Sequence, residues 1–491
     1  MKVLLVNPEF PDTYWSFRHA LRFQRKRSAF PPLALLTISA MLPREWERQL
    51  IDLEVTKLRQ ADIDWADMVF VSGMLVQKDS LHEVVKRCKD SGKRVAVGGP
   101  YVSTCAPESL PDADHIFFEE AEQTLLKFLD DLEHEQAQKF YKPVDRPQLT
   151  LCPVPDFPLI NFKNYSSMLV QYSRGCPFNC EFCDIIEIYG RVPRTKSNQQ
   201  VLAELDALWT LGWRGTVFFV DDNFIGNKKN VRLLMPELIK WQQKHRYPFS
   251  FLTEASINLA EDEPLLEAMR QAGFTRVFIG IETPVEESLK EAQKTQNRGN
   301  LLGSVEKVQS YGMEVMAGFI VGFDNDPPDI IQRQIAFIQN SGIPLAMAGI
   351  LTALPNTQLW RRLKKEGRLK GESTGNNTDY SLNFFPKMDE ATLVEGYKYL
   401  MRYIYQPRQY YQRALDSLRR TRGDAPQLRQ IHLISDIAAL IRVTLRLGVI
   451  DRGRWEFWRF IIRGRKRFVE AMKFAAVGYH FRRLNEAYTT E

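Results

Sequence analysis

Ser173-Arg174-Gly175-Cys176-Pro177-Phe178-Asn179-Cys180-Glu181-Phe182-Cys183 places three cysteines within eight residues, spaced C-x3-C-x2-C. A loop that short can turn three thiolates toward one point. Thiolates are soft ligands and select zinc, copper(I) or iron–sulfur clusters. A structural zinc ion takes four closed ligands, and an ordinary cubane cluster is held by four cysteines. No fourth ligand stands near this loop. Three thiolates on a 4Fe-4S cluster leave one iron open to a reactive small molecule. Two plainer readings stand beside that one: a zinc knuckle completed by a distant histidine, and three buried apolar side chains.

The chain around the loop alternates between strand and helix patterns. Ser167–Tyr172 reads as the strand that feeds the cysteines. Strands are then predicted at Thr216–Val220, Phe249–Glu254, Arg276–Ile281, Glu314–Val321 and Leu345–Leu351, with helices between them. Six or seven such units over about 190 residues fall short of the roughly 250 that an eight-unit barrel needs, so a partial barrel is expected. Chemistry in such barrels sits at the carboxyl ends of the strands. Asp221, Asp222, Glu254, Ser256, Glu282 and Gly322 fall there.

Toward the amino terminus, strands are predicted at Lys2–Val6, Arg48–Leu53, Met68–Ser72, Arg94–Val97 and His115–Phe118. Helices are predicted at Pro32–Met41, Ser80–Ser91 and Glu122–Leu132. This alternation argues a doubly wound parallel α/β sheet. Ligands bind such sheets beyond the carboxyl ends of the strands, where Asn7, Pro8, Gly73, Met74, Gly98 and Gly99 lie. Prolines 143, 147, 153, 155 and 158 mark an extended linker. The division expected is 1–140, linker 141–161, barrel 162–370 and a helical C-terminal region 371–491.

The net charge of +6 is unevenly spread. Arg402 to Arg483 carries 19 Lys/Arg against 6 Asp/Glu, a net of +13, which leaves −7 for the rest. The helices expected there include Gln427–Leu447, with an apolar stripe of Ile431, Ile434, Ile437, Ala438, Ile441 and Leu445. Trp455, Trp458 and Ile462 follow among arginines. A helical cap with a solvated basic face and an interfacial helix on an anionic membrane both fit. Nucleic acid is not expected as a partner, because no reading motif is present. Cys88, Cys105 and Cys152 are scattered, so no disulfide framework is expected, and a reducing, cytoplasmic setting is. No signal peptide and no membrane-spanning run is read.

The cysteine loop closely resembles that of radical S-adenosylmethionine (SAM) enzymes. Phe182, just before the last cysteine, fits that family too, and the resemblance implies that its ring lies over the SAM adenine. It further implies a six-unit open barrel, with Asp221 and Asp222 near the amino or methionine end of SAM. Glu254 and Ser256 then meet the ribose, Glu282 is the strand-end acid, and Gly322 passes beside the adenine. The first domain resembles the cobalamin-binding domain that precedes many radical SAM domains. Val3-Leu4-Leu5-Val6-Asn7-Pro8, Phe30-Pro31-Pro32-Leu33-Ala34, Ser72-Gly73-Met74 and Val97-Gly98-Gly99-Pro100 carry that likeness. Phe118-Glu119-Glu120-Ala121-Glu122 resembles the family's Gly-Glu-Gly-Glu stretch but departs at both glycines; Glu120 is the residue carried over. The Asp-x-His-x-x-Gly signature of the mutase type is absent, so no histidine is expected below the cobalt. A domain that keeps this fold and binds nothing is the alternative.

The three-part layout is similar to a subfamily that includes hopanoid C-methylating enzymes and, more distantly, the anaerobic ring-forming enzymes of chlorophyll synthesis. The resemblance implies a methyltransferase acting on an unactivated carbon of a small molecule or lipid. It would use a 4Fe-4S cluster, SAM and cobalamin, with electrons from a donor such as a flavodoxin or ferredoxin. Cysteine usage places it in the cytoplasm, and peripheral contact with the inner face of the membrane is the reading that the basic aromatic helices add. A cyclase or rearranging enzyme with the same cofactors and a cobalamin or redox sensor are the other readings.

Overall fold

The computed structural model describes residues 1–421 and 433–489. Two parallel six-stranded sheets organise it. The first contains β1 (Lys2–Asn7), β2 (Glu47–Asp52), β3 (Met68–Ser72), β4 (Arg94–Gly98), β5 (His115–Phe117) and β6 (Phe140–Tyr141), in the order β2-β1-β3-β4-β5-β6. Val3 to Val6 are fully buried because both faces of this sheet are covered. The helix Lys78–Asp90 lays Leu81, Val84, Val85 and Cys88 on one face. Leu33–Met41 and Ala121–Glu133 supply Leu35, Leu125 and Phe128 to the other. The strand order reverses direction at β1 and β3, and the loops after them open the crevice where such folds take ligands.

A short antiparallel ribbon, β8 (Ser173–Arg174) with β9 (Arg194–Thr195), carries the entry to the cysteine loop. It follows β7 (Ser167–Val170). The second sheet joins β7 to β10 (Gly215–Phe219), β11 (Phe249–Glu254), β12 (Phe274–Glu282), β13 (Glu314–Val321) and β14 (Leu345–Ile350). Its order, β14-β13-β12-β11-β10-β7, is sequential and parallel throughout. It is a partial barrel, as the spacing predicts, with the six units that the resemblance implies, and β7 and β14 stand at opposite edges of the sheet.

Unpaired strand edges leave backbone groups that must find partners. On β14, Tyr14 and Tyr397 hydroxyls both donate to the Ala348 carbonyl, at 2.7 and 2.8 Å. The Tyr405 hydroxyl donates to the Ala346 carbonyl at 2.8 Å. At the other edge, the Ser167 amide donates to the Ala29 carbonyl at 3.0 Å. Residues 13–30 of the first domain thus cross the open side of the barrel from one edge to the other. The short helix Arg18–Gln24 in this segment, packed on the C-terminal helices Leu433–Val443 and Phe468–Thr489, is absent from the sequence reading.

The proline-rich stretch also differs from a bare surface connection. It holds two short 3-10 turns, Leu149–Leu151 and Phe157–Leu159, and Leu149, Cys152 and Phe157 are buried. Proline fixes the turns while these apolar side chains anchor them to both domains. In the C-terminal region, helices run Glu390–Ile404, Pro407–Arg420, Leu433–Val443, Arg454–Arg463 and Phe468–Thr489. The expected helix Gln427–Leu447 begins outside the described residues, as does Ile431 of its stripe. Among the described residues no helix is long and apolar enough to cross a membrane.

Candidate active site

Asp221, at the end of β10, organises the start of the cysteine loop. Its two carboxylate oxygens accept the Tyr172 amide (2.8 Å), the Ser173 amide (2.9 Å) and the Ser173 hydroxyl (2.7 Å). Asp222 accepts the Gly175 amide at 2.8 Å. Gly175 is left-handed (φ +93°), and an added Cβ would lie 2.8 Å from the Gly190 carbonyl oxygen, so only glycine fits this turn. The polar pair carried by β10 therefore fixes the backbone that delivers Cys176.

All three loop cysteines are free thiols. Asn223 Nδ2 donates to Cys176 Sγ at 3.9 Å, and Gln296 Nε2 to Cys180 Sγ at 3.5 Å. Burial raises the Cys176 and Cys183 thiols above their ordinary pKa, and neighbouring charges push Cys183 further. Metal loading would therefore release protons. The Lys294 ammonium is ion-paired with Glu282 and lies 5.7 Å over the Phe182 ring. Burial works against its charge, but Glu282 and the Cys180 sulfur outweigh burial and raise its pKa. Two N–H donors and a cation around the sulfurs suit thiolates bound to a cluster, whose charge such neighbours offset. Among the described residues no three His, Cys, Asp or Glu side chains form a single-ion site.

The other residues singled out by position line the same barrel mouth. Glu254 ends β11 without a hydrogen bond or ion pair to its carboxylate among the described residues. Burial, then the Asp222 and Asp221 charges, raises its pKa to about 8. Burial likewise lifts Asp221 to about 7 and Asp222 to about 6. The Ser256 hydroxyl shares hydrogen bonds with Asn223 (3.1 Å) and Asn258 (2.7 Å). Glu282 is strained at φ +63° and buried. Gly322 is at φ +102°, and its amide donates to Asp326 at 2.8 Å. Phe182 packs against Phe323, with centroids 6.2 Å apart. Deeper in the lumen an aromatic wall runs from Trp15 and Phe30 of the crossing segment to Phe218 on β10 and Phe278 on β12. Trp15 stacks on Phe218 at 6.1 Å and meets Phe278 at 5.2 Å.

At the first sheet's strand ends, Asn7 Nδ2 donates to Asp52 (2.9 Å), and Gln77 Nε2 donates to the Pro8 carbonyl (2.7 Å). Gly99 is at φ +101°, with its Cα against Gly73; an added Cβ would sit 2.8 Å from the Gly73 carbonyl oxygen. Gly98 is half-buried beside it, and Met74 is exposed. This is a cradle of bare backbone that side chains would fill. His82 pairs with the Tyr101 hydroxyl at 2.9 Å, and His115 with the Gln138 carbonyl.

Glu120 is fully engaged elsewhere. Its carboxylate binds Arg174 at 2.8 Å and Arg194 at 2.6 Å, both from the ribbon that carries the cysteines. Glu122 adds a second contact to Arg174 at 2.7 Å. The sequence reading missed both arginines, because their partners lie more than fifty residues away and no spacing signals them. It also missed Arg362, which joins Glu181 of the cysteine loop (2.7 Å) to Asp324 after β13 (3.0 Å).

Residues 170–338 match the radical SAM superfamily, and residues 357–491 match a domain of unknown function, DUF4070. The chain is 43% identical over 465 residues to an uncharacterized methyltransferase of Synechocystis sp., covering 93% of this chain and 86% of that one. It is 36% identical over 474 residues to the hopanoid C-2 methylase of Rhodopseudomonas palustris, covering 94% and 89%. Among solved structures, TsrM from Kitasatospora setae with cobalamin and a [4Fe-4S] cluster bound superposes with a TM-score of 0.65 at 12% identity, over 97% of this chain and 99% of that one. The cobalamin-dependent radical SAM enzyme OxsB with aqua-cobalamin bound gives 0.63 at 16% identity, over 99% and 80%. These two establish the shared fold. The chain belongs to the radical SAM methyltransferases, in the family of the hopanoid C-2 methylase.

Proposed function

We propose that this enzyme transfers a methyl group to an unactivated carbon of a polycyclic, apolar lipid such as a hopanoid. The observation that carries the reading is the aromatic wall of Trp15, Phe30, Phe218 and Phe278 below the ring of carboxylates. An apolar ring system held there would face the cysteine loop, and hydrogen abstraction demands near-contact distances. The identity to the hopanoid C-2 methylase over nearly the whole chain supports the same substrate class.

Bound together, the cluster and SAM supply a hydrogen-abstracting radical, and the corrinoid supplies the methyl group. Cys176, Cys180 and Cys183 would hold the cluster. Phe182, Asp222, Glu254, Ser256, Glu282 and Gly322 would hold SAM, with Asp221 acting through the loop backbone. Asn7, Pro8, Gly73, Met74, Gly98 and Gly99 would hold the corrinoid. Glu120 would act beside them by tying that domain to the cluster loop. Glu254, with no partner among the described residues, is available to accept from a hydroxyl or to face a cation. The aromatic wall keeps water away from the reacting carbon. The functional division proposed is 1–140, 141–161, 162–370 and 371–491. A flavodoxin or ferredoxin would supply electrons, and a cytoplasmic enzyme touching the inner membrane face would meet such a lipid.

The test is anaerobic incubation of the reconstituted protein with SAM, a reductant and a hopanoid. Deoxyadenosine, S-adenosylhomocysteine and a product in which one hydrogen is replaced by a methyl group, a net gain of CH2, are expected. Deoxyadenosine without S-adenosylhomocysteine would point instead to a cyclase or rearranging enzyme.

A further inference from the structure

The apolar stripe on the helix Leu433–Val443 does not face the core. Ile437 and Ile441 are half exposed, and so are Leu445 and Val449 on the widened turn Thr444–Ile450 that follows. The opposite side, with Val443 and Leu447, is the buried one. On the helix Arg454–Arg463, Phe457, Phe460 and Ile461 point inward, while Trp455 (69% exposed) and Ile462 (59%) point out. The Trp458 indole N–H donates to the Gly448 carbonyl at 2.9 Å, which joins the two helices into one surface. Ten of the twenty-three large exposed apolar side chains among the described residues fall between Ile437 and Val469. Scattered exposed apolar residues are ordinary, but a concentration of this kind marks a contact surface.

The rim of this surface is cationic. Arg452, Arg463, Arg465 and Lys466 are exposed and make no ion pair among the described residues. The acidic residues nearby are few: Glu456 is paired with Arg459, and Asp451 with Arg482. Glu470 is half-buried at the start of the last helix.

We infer that this face, built from Ile441, Leu445, Val449, Trp455, Trp458 and Ile462 and rimmed by Arg452, Arg463, Arg465 and Lys466, docks on an anionic lipid bilayer. Tryptophan favours the headgroup level, where one edge of the ring is apolar and the other wet. Arginine and lysine stems can lie along the apolar face while their charges reach lipid phosphates. Aliphatic side chains between the tryptophans suit acyl chains and offer nucleic acid nothing to read. The surface makes this case independently of what the barrel methylates.

The full-length, anaerobically reconstituted enzyme is sedimented with vesicles of phosphatidylcholine alone or mixed with phosphatidylglycerol. Salt-dependent binding to the mixed vesicles is expected, with a blue shift in tryptophan emission. Arg463→Glu/Lys466→Glu should weaken that binding at least roughly tenfold. Trp455→Ser/Ile462→Ser should weaken it in high salt as well as low. All four side chains are solvent-exposed, so thermal melting and iron content should match the parent and report a folded variant. No binding, equal binding to neutral vesicles, or binding unaltered in both variants would overturn the inference. So would light scattering that shows a dimer dissolved by Trp455→Ser without vesicle binding, which would assign the face to a second copy of the chain. Methylation assays are separate, so failure of the lipid-substrate reading would leave vesicle binding intact, and the reverse.

Discussion

The Glu120 carboxylate of the first domain lies 2.8 Å from the Arg174 guanidinium, two residues before Cys176. Both side chains are almost entirely buried. Burial would raise the pKa of the neighbouring Glu122, but Arg174 outweighs burial and holds it down to about 2. One arginine therefore ties the strand-end loop of the first sheet to the entrance of the cysteine loop.

Removing one partner from a buried pair leaves the other charge stranded, at a cost of about 3–5 kcal/mol. Arg174→Ala is expected to lose stability of that order and to retain little iron after reconstitution. Glu120→Gln keeps the shape and an acceptor. It should hold its iron while methylated product falls at least tenfold relative to deoxyadenosine, because the two domains no longer share a fixed contact. Iron analysis and the ratio of the two products check both expectations.

Cys176→Ala, Cys180→Ala and Cys183→Ala should each abolish the visible absorbance of the reconstituted cluster and all SAM cleavage. Cys152→Ala should not. Cys152 is buried against Glu122, its thiol 3.0 Å from a carboxylate oxygen, and burial raises its pKa to about 12. A thiol held protonated is a packing group and not a ligand. Zinc in place of iron and sulfide in the parent protein would remove the basis for the radical assignment.

Gly99→Ala tests the proposed corrinoid cradle. At φ +101° an alanine is strained, and its Cβ would meet the Gly73 carbonyl oxygen and the Ser72 hydroxyl, both at 2.8 Å. Strain of this kind costs about 1–3 kcal/mol. The loops after β3 and β4 should separate, and corrinoid content should fall at least tenfold while iron content holds. Gly92→Ala is the control: it is also left-handed (φ +70°) but meets nothing within 4 Å. It should cost stability alone, and corrinoid content measured beside iron separates the two effects.

The sheets were legible in the chain because both are parallel and covered, so several of their strands are continuous apolar runs, although the edge strand Glu47–Asp52 is polar. Val3 to Val6 and Leu345 to Ile350 are buried at every position. The three cysteines were legible because their spacing is local. The segment around Tyr14–Gln24 was not, since left-handed turns at Phe17 and Arg25 break any period and its partners, Ala348 and Phe481, are hundreds of residues away. Position marked Asp221 as a polar strand-end residue, and the family resemblance marked Glu120. It could not show that their oxygens are spent on the Tyr172–Ser173 backbone and on Arg174 and Arg194. The apolar stripe from Ile437 to Leu445 was legible as a stripe, but periodicity alone does not say whether such a face turns inward.

His480 joins the last helix to the crossing segment and makes the fold acid-sensitive. Its Nδ1 accepts the His19 amide at 3.4 Å, and its Nε2 is buried without a hydrogen-bond partner among the described residues. Burial, reinforced by His19, lowers its pKa from 6.5 to about 3. The unfolded chain therefore binds a proton below pH 6.5 that the folded chain refuses. This contribution to stability is complete above pH 6.5 and is lost as pH falls toward 3. The melting temperature should drop steeply across that window. His480→Gln, which keeps an acceptor for the His19 amide and cannot titrate, should melt lower than the parent at pH 8 through lost packing. It should also show a visibly shallower decline between pH 6.5 and 4. Parallel curves for the two proteins would mean that other groups govern the acid limb, His19 first among them, since burial lowers its pKa as well.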